Sequence, residues 1–185
     1  MSSTFEEALE SYPRFVLTRL PTPLHALPSL STRLGLQVFI KRDDLTDLTL
    51  GGDKPRKLEY EVAQAVAQGS DTLVTCGSSQ SNHARLTTAA ARKAGMQPVV
   101  ILSRDQYQAF QGNLLTVYLM GAQVHFVEAS HHWDLEPYMH EVFQELLAQG
   151  KKRILLLHSG GVPALFAYAG ELNAHLQKRG VDVIS

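Results

Sequence analysis

From residue 69 onward, short apolar runs alternate with amphipathic stretches. The run DTLVTC at 71–76 has strand length, the stretch Asn82–Lys93 carries a helical pattern, and QPVVIL at 97–102 is strand-like again. A second round predicts a helix over 109–120, a strand over 123–127, a helix over 135–147 and a strand over 153–157, punctuated by Gly95, Gly121 and Gly150. Continuous apolar runs suit strands buried on both faces. The pattern therefore predicts a parallel sheet covered by helices and joined by right-handed crossovers.

Before this region, residues 55–68 place Leu58, Val62 and either Ala65 or Val66 on one helical face, with Pro55 in the first turn and Gly69 as the stop. The first fifty residues read as irregular, because Pro13, Pro21, Pro23 and Pro28 divide them into extended pieces and turns. One strand is expected there, at 38–41. Toward the end, a helix is predicted over 163–178. A further apolar run at 181–184 either pairs at a sheet edge or begins another unit.

Composition narrows the class of protein. With 185 residues, 44% hydrophobic and 19% charged, the chain fits one globular domain, or one domain plus part of another. Lys plus Arg is 17 and Asp plus Glu is 18, so the net charge of -1 gives no general attraction to nucleic acid or an anionic membrane. Neither is expected as a partner. The single cysteine, Cys76, forms no internal disulfide and belongs to no metal-ligand spacing. The segment MSSTFEEALE resembles neither a secretory signal nor a basic transit peptide, and no apolar run reaches membrane-spanning length. A cytoplasmic protein is the expectation.

Two polar constellations carry the candidate chemistry. Gly77, Ser78, Ser79, Gln80, Ser81, Asn82 and His83 sit between a predicted strand and helix, where an open α/β sheet binds ligands and a helix start offers free N–H groups. The plain alternative is an N-cap with a hydrophilic turn. Gly51, Gly52, Asp53, Lys54, Pro55, Arg56 and Lys57 form the second constellation. There the glycines allow close backbone approach, and a desolvated Lys54 is able to form a Schiff base. A solvated loop lysine is the plain reading. His131 and His132 read as a surface turn rather than a metal site; Asp43, Asp44 and Asp47 read as a polar turn; His83 and His158 are candidate bases.

Taken together, GGDKPRKLEYEVAQAVAQGSDTLVTCGSSQSNHARLTTAAARKAGM at 51–96 resembles the pyridoxal-phosphate enzymes of the 1-aminocyclopropane-1-carboxylate deaminase and D-cysteine desulfhydrase family. TPL at 22–24, FIKRDD at 39–44 and SGG at 159–161 add to the likeness. The resemblance implies a three-layer, tryptophan synthase beta-like (fold type II) α/β fold. Lys54 matches the lysine that holds pyridoxal 5'-phosphate as an internal aldimine, Asn82 the asparagine on the ring hydroxyl, and Lys57 a basic residue near the phosphate. Ser81 matches a residue beside the substrate carboxylate that takes part in proton transfer, while Gln80 and His83 line the substrate side. The implied reaction is that of a lyase or deaminase on a small amino acid, releasing ammonia and a keto acid, with sulfide also released from a D-cysteine-like substrate.

This chain departs from the family at two points. Asp53 stands where the family usually has asparagine, which puts an anion beside Lys54. The family's glycine-rich phosphate cup, its substrate-side tyrosines and the group facing the pyridine nitrogen have no counterpart within the chain. The resemblance thus divides the chain into an N-terminal segment, 1–50, of an incomplete large domain, a smaller α/β domain, 51–160, and a helix and strand, 161–185, returning to the large domain. Three readings follow: a catalytically silent remnant, an N-terminal half that docks with a separate C-terminal-half partner chain, and a fragment of an ordinary enzyme. An interaction module is the main non-enzyme alternative, and a homo-oligomer is the other partner expectation. A nucleotide-binding domain fits less well, because no phosphate-loop motif is present.

Overall fold

Four strands build the central sheet: β3 (Thr72–Ser78), β4 (Gln97–Ser103), β5 (Gln123–Val127) and β6 (Ile154–Leu157). They run parallel in the order β5-β4-β3-β6. The computed structural model describes residues 9–104, 110–129, 132–151 and 153–157. α2 (Pro55–Ala67) precedes β3, and α3 (Asn82–Lys93), α4 (Gly112–Leu119) and α5 (Glu136–Ala148) connect the four strands in turn.

Side-chain alternation along β4 explains the layers. Val99 and Ile101 pack with Met139, Val142 and Leu146 of α5, whereas Val100 and Leu102 pack with Ala84 of α3 and Leu114 and Val117 of α4. Helices therefore cover both faces, as the unbroken apolar runs predict. In a third cluster, Leu58 and Val62 of α2 meet Leu73 of β3 and Leu86 and Ala90 of α3. Each fully buried leucine there contributes roughly 1.5–3 kcal/mol. Leu17 and Leu48 from the N-terminal segment join the same cluster.

The N-terminal segment is more ordered than its prolines suggest. β1 (Leu24–Ala26) pairs antiparallel with β2 (Phe39–Lys41), and α1 (Pro28–Leu34) lies between them. Pro28 starts α1 at a position where its missing N–H costs nothing, and Gly35 ends it at φ 67°. The irregular reading of this region is therefore corrected at α1 and β1. None of the α1 residues is buried; Leu30 and Leu34 share one helical face but stay exposed, and the short helix is otherwise polar.

Two ion-pair anchors tie the segment to α2. The fully buried carboxylate of Glu59 receives the Arg14 guanidinium, the Thr18 hydroxyl at 2.9 Å, and the backbone N–H groups of Leu17 and Thr18, each at 3.1 Å. Burial alone would raise its pKa, but these four donors hold it below the usual carboxylate value. Asp43 accepts from Arg56 Nε at 2.8 Å, Arg56 Nη2 at 2.7 Å and the Thr22 hydroxyl. The Arg56 bonds and then that of Thr22 hold this carboxyl far below its usual range. Asp43 thus does more than form a polar turn.

The predicted helices over 55–68 and 135–147 and the strands over 71–76, 97–102 and 153–157 match observed elements to within two residues at either end. The helix predicted over 109–120 is observed as Gly112–Leu119, and Ala109 falls outside the described residues. The predicted helix over 163–178, the run at 181–184, His158, and SGG at 159–161 also lie outside them. No helix among the described residues is long and apolar enough to cross a membrane.

Candidate functional site

The lysine constellation follows a tight turn. After the 3-10 turn Asp43–Leu45, the chain folds back so that Gly52 N–H donates to the Asp43 carbonyl at 2.8 Å and Thr46 Oγ1 donates to the Gly52 carbonyl at 2.7 Å. Four consecutive residues, Thr49, Leu50, Gly51 and Gly52, have positive φ, at 26°, 43°, 68° and 135°. Gly51 is required here, because a Cβ on it would stand 1.9 Å from the Asp44 carbonyl oxygen. Gly52 lies against α3, where an added Cβ would meet Leu86 Cδ1 at 3.2 Å.

Lys54 leaves this turn as the residue before α2. Its Nζ is 3.3 Å from each carboxylate oxygen of Asp53, so the anion expected from the sequence is in contact with the amine. Lys54 is 36% exposed in its side chain and Asp53 71%, and pairs this wet are worth on the order of 0–1 kcal/mol. Lys57, one turn further on, sits 3.8 Å from Glu61, whose carboxyl is pushed up by burial. The first turn of α2 contains no acidic residue, so Lys54 and Lys57 add to the positive end of the helix dipole. That end suits an anionic group such as a phosphate.

The second constellation begins where β3 ends, two residues later than the sequence suggests. Gly77 and Ser78 pair with Leu102 and Ser103 through the ladder although they offer no apolar signal. A Cβ on Gly77 would lie 2.8 Å from Ser81 Oγ, so glycine lets Ser81 tuck against the strand end. Ser81 Oγ accepts from Ala84 N–H at 3.2 Å and caps α3. Ser81→Ala is expected to lower stability by about 1 kcal/mol in urea unfolding, and Ser81→Gly by only a few tenths. Equal losses for the two variants would count against the cap.

Around the cap, Gln80 Oε1 accepts from Asn113 N–H at 3.0 Å, and Asn113 Nδ2 donates to the Gln80 carbonyl at 2.7 Å and to Asn82 Oδ1 at 3.0 Å. His83 is buried, with its Nε2 3.4 Å from the Thr87 hydroxyl. The structure joins the two constellations through a residue that the sequence reading passed over. Arg85 Nη2 donates to the Gly51 carbonyl at 3.1 Å and to Asn82 Oδ1 at 3.3 Å. The sequence marks Arg85 only weakly, because the positions one helical turn away from it, Ser81, Asn82, Thr88 and Ala89, are mostly polar. Asn113, just inside α4, has no comparable signal.

The other candidates do not join this site. His132 and Asp134 lie in a 3-10 turn, His131 is outside the described residues, and no three His, Cys, Asp or Glu side chains among the described residues are grouped to hold a metal. A cavity of about 410 Å³ beside β5 and α5, lined by residues that include His125, Tyr138 and Glu141, contains none of the residues singled out from the sequence.

Comparison with known proteins gives this arrangement a family. The sequence profile described as "Pyridoxal-phosphate dependent enzyme" matches residues 17–177. The chain belongs to that family. It is 37% identical over 187 aligned residues to a Pyrococcus abyssi protein provisionally named 1-aminocyclopropane-1-carboxylate deaminase, covering 99% of this chain and 56% of that one. A D-cysteine desulfhydrase of Serratia proteamaculans is 41% identical over 167 residues, covering 88% of this chain and 50% of its own. The chain thus spans about half the length of the curated relatives it matches.

Among solved structures, an ACC deaminase homologue superposes with a TM-score of 0.79 at 35% identity, covering 87% of this chain and 49% of the other. A fungal L-serine ammonia-lyase from Rhizomucor miehei superposes at 0.60 with 16% identity, covering 90% and 49%, which speaks for the fold alone. That fold is the tryptophan synthase beta-like, fold type II arrangement expected from the sequence. The relatives are associated with both deaminase and desulfhydrase names, and the family with pyridoxal phosphate.

Proposed function

We propose that this chain provides the lysine and the polar helix cap of a pyridoxal-phosphate site acting on small amino acids, as a deaminase or desulfhydrase. The observation that carries this reading is the Arg85 fork, which joins the carbonyl of Gly51 to the side chain of Asn82. That link supports reading the lysine turn and the SQSNH cap as parts of one site. The donor set fits the cofactor, with an amine at Lys54, a positive helix start at Lys57, and an amide at Asn82. When bound, pyridoxal phosphate supplies an electron sink for breaking a bond at the amino acid's α-carbon.

The chain's own groups then have distinct tasks. Lys54 Nζ holds the cofactor covalently, and its weak pairing with exposed Asp53 opposes this little. Lys57 and the first N–H groups of α2 balance phosphate charge. Arg85 and Asn113 both donate to Asn82 Oδ1, which leaves Asn82 Nδ2 as the donor toward the ring hydroxyl. Ser81 Oγ accepts one bond from Ala84, so its hydrogen remains for a substrate carboxylate or for proton transfer. Gln80 and His83 border the substrate side. Ammonia and a keto acid are the products of this reading, with sulfide in addition from a D-cysteine-like substrate.

The division at residues 50 and 160 is kept, with a C-terminal half completing the site. Exposed apolar residues on the N-terminal hairpin, including Leu24 at 62% and Phe39 at 53%, support such a partner. They also favour the second reading, an interaction module without chemistry.

Titration with pyridoxal phosphate, borohydride trapping and peptide mapping separate the two. The expected result is a saturable visible band and a reduced adduct at Lys54, both absent in Lys54→Ala. If no adduct maps to Lys54 and stability rises only with a partner, the interaction module stands instead.

A further inference from the structure

We infer that Arg85 is a positioning residue whose guanidinium fork fixes the Thr49–Gly51 turn, and through it Lys54, against Asn82. This rests on the reading of Lys54 as the cofactor lysine, although the geometry is independent of it. One end of the fork, Nη1, donates to the Thr49 carbonyl and to Thr49 Oγ1 at 2.7 Å. The other, Nη2, donates to the Gly51 carbonyl at 3.1 Å and to Asn82 Oδ1 at 3.3 Å. One planar group thus binds both constellations.

The environment of Arg85 is unusual for a stabilising cation. The residue is 4% exposed, has no carboxylate partner among the described residues, and leaves Nε buried without a hydrogen bond. An unpaired buried charge is costly, and an apolar side chain of similar volume would often stabilise more. Its four acceptors belong to the lysine turn and to Asn82. The turn needs such a clamp, because Thr49 and Leu50 are non-glycine residues held at φ 26° and 43°. Two carbonyls that converge on a cation offset that backbone strain. Lysine at 85 would keep the charge but lose the planar fork that reaches both ends.

The test uses hydrogen exchange and pyridoxal-phosphate trapping on wild type, Arg85→Lys and Arg85→Met. The amides of Gly51 and Gly52, bonded to the carbonyls of Leu48 and Asp43, report on the turn. In Arg85→Lys these amides are expected to exchange about tenfold faster while β3 and β4 keep their protection. The yield of trapped adduct at Lys54 is expected to fall with them, and further in Arg85→Met.

Turn exchange equal to wild type in Arg85→Lys would overturn the inference. So would an equal rise across turn and strands, or unfolding of both variants, since either assigns Arg85 to general stability. If wild type itself forms no adduct at Lys54, the functional reading fails while turn exchange still decides the clamp.

Discussion

Glu59→Ala is expected to destabilise the protein by about 3 kcal/mol, near the lower end for breaking a buried ion pair because Arg14 keeps access to water. The variant would strip the Leu17 and Thr18 N–H groups and the Thr18 hydroxyl of their acceptor, inside the fold. With total stabilities of roughly 5–15 kcal/mol, this is a large fraction. Because the folded-state pKa of Glu59 is depressed, its contribution is complete above the unfolded value and is lost as pH falls through the folded one. Asp43 shifts in the same direction and adds to the acid loss. Urea unfolding as a function of pH checks both points. Wild type should weaken on acidification below about pH 4, and Glu59→Gln should show a shallower slope. A loss under about 1 kcal/mol for Glu59→Ala would mean that the N-terminal segment is held by other contacts.

Gly51→Ala is expected to abolish cofactor capture at Lys54. Its Cβ would fall 1.9 Å from a backbone oxygen, and backbone yields less easily than the end of a side chain. Gly35→Ala provides the comparison, for Gly35 has nearly the same φ, 67° against 68°, with nothing within 4 Å of its added Cβ. That variant measures the left-handed backbone penalty alone, about 1 kcal/mol. Gly51→Ala should exceed it in unfolding experiments and also lose the borohydride-trapped adduct. Adduct yield equal to that of Gly35→Ala would show that the turn can rebuild without Gly51.

What could be read from the sequence follows from how each element is held. Val74, Val99 and Ile101 are buried by hydrophobic packing, so the strands that contain them appear as apolar runs. Leu58, Val62 and Ala65 are all buried on α2, and the helical period finds them; Val66, the alternative at that position, is 46% exposed. By contrast α1 buries nothing, and β3 continues through Gly77 and Ser78 by backbone pairing alone. Neither feature rests on a run of buried apolar residues. Within the site, Lys54, Ser81 and Asn82 stand out through motif resemblance. Arg85 does not, because its acceptors at Thr49 and Gly51 are carbonyls, which every residue possesses.

The strand order has a consequence for synthesis. β3, which leads into the Ser81 cap, lies between β4 and β6, and its β6 partners, residues 154–157, follow it by about eighty positions in the chain. A ribosome therefore releases the loop at 78–83 long before the second neighbour of its supporting strand exists. Until then one edge of β3 is open, and chaperones or unwanted strand partners have their best access to it. The cap reaches its final support only when nearly the whole described chain has emerged.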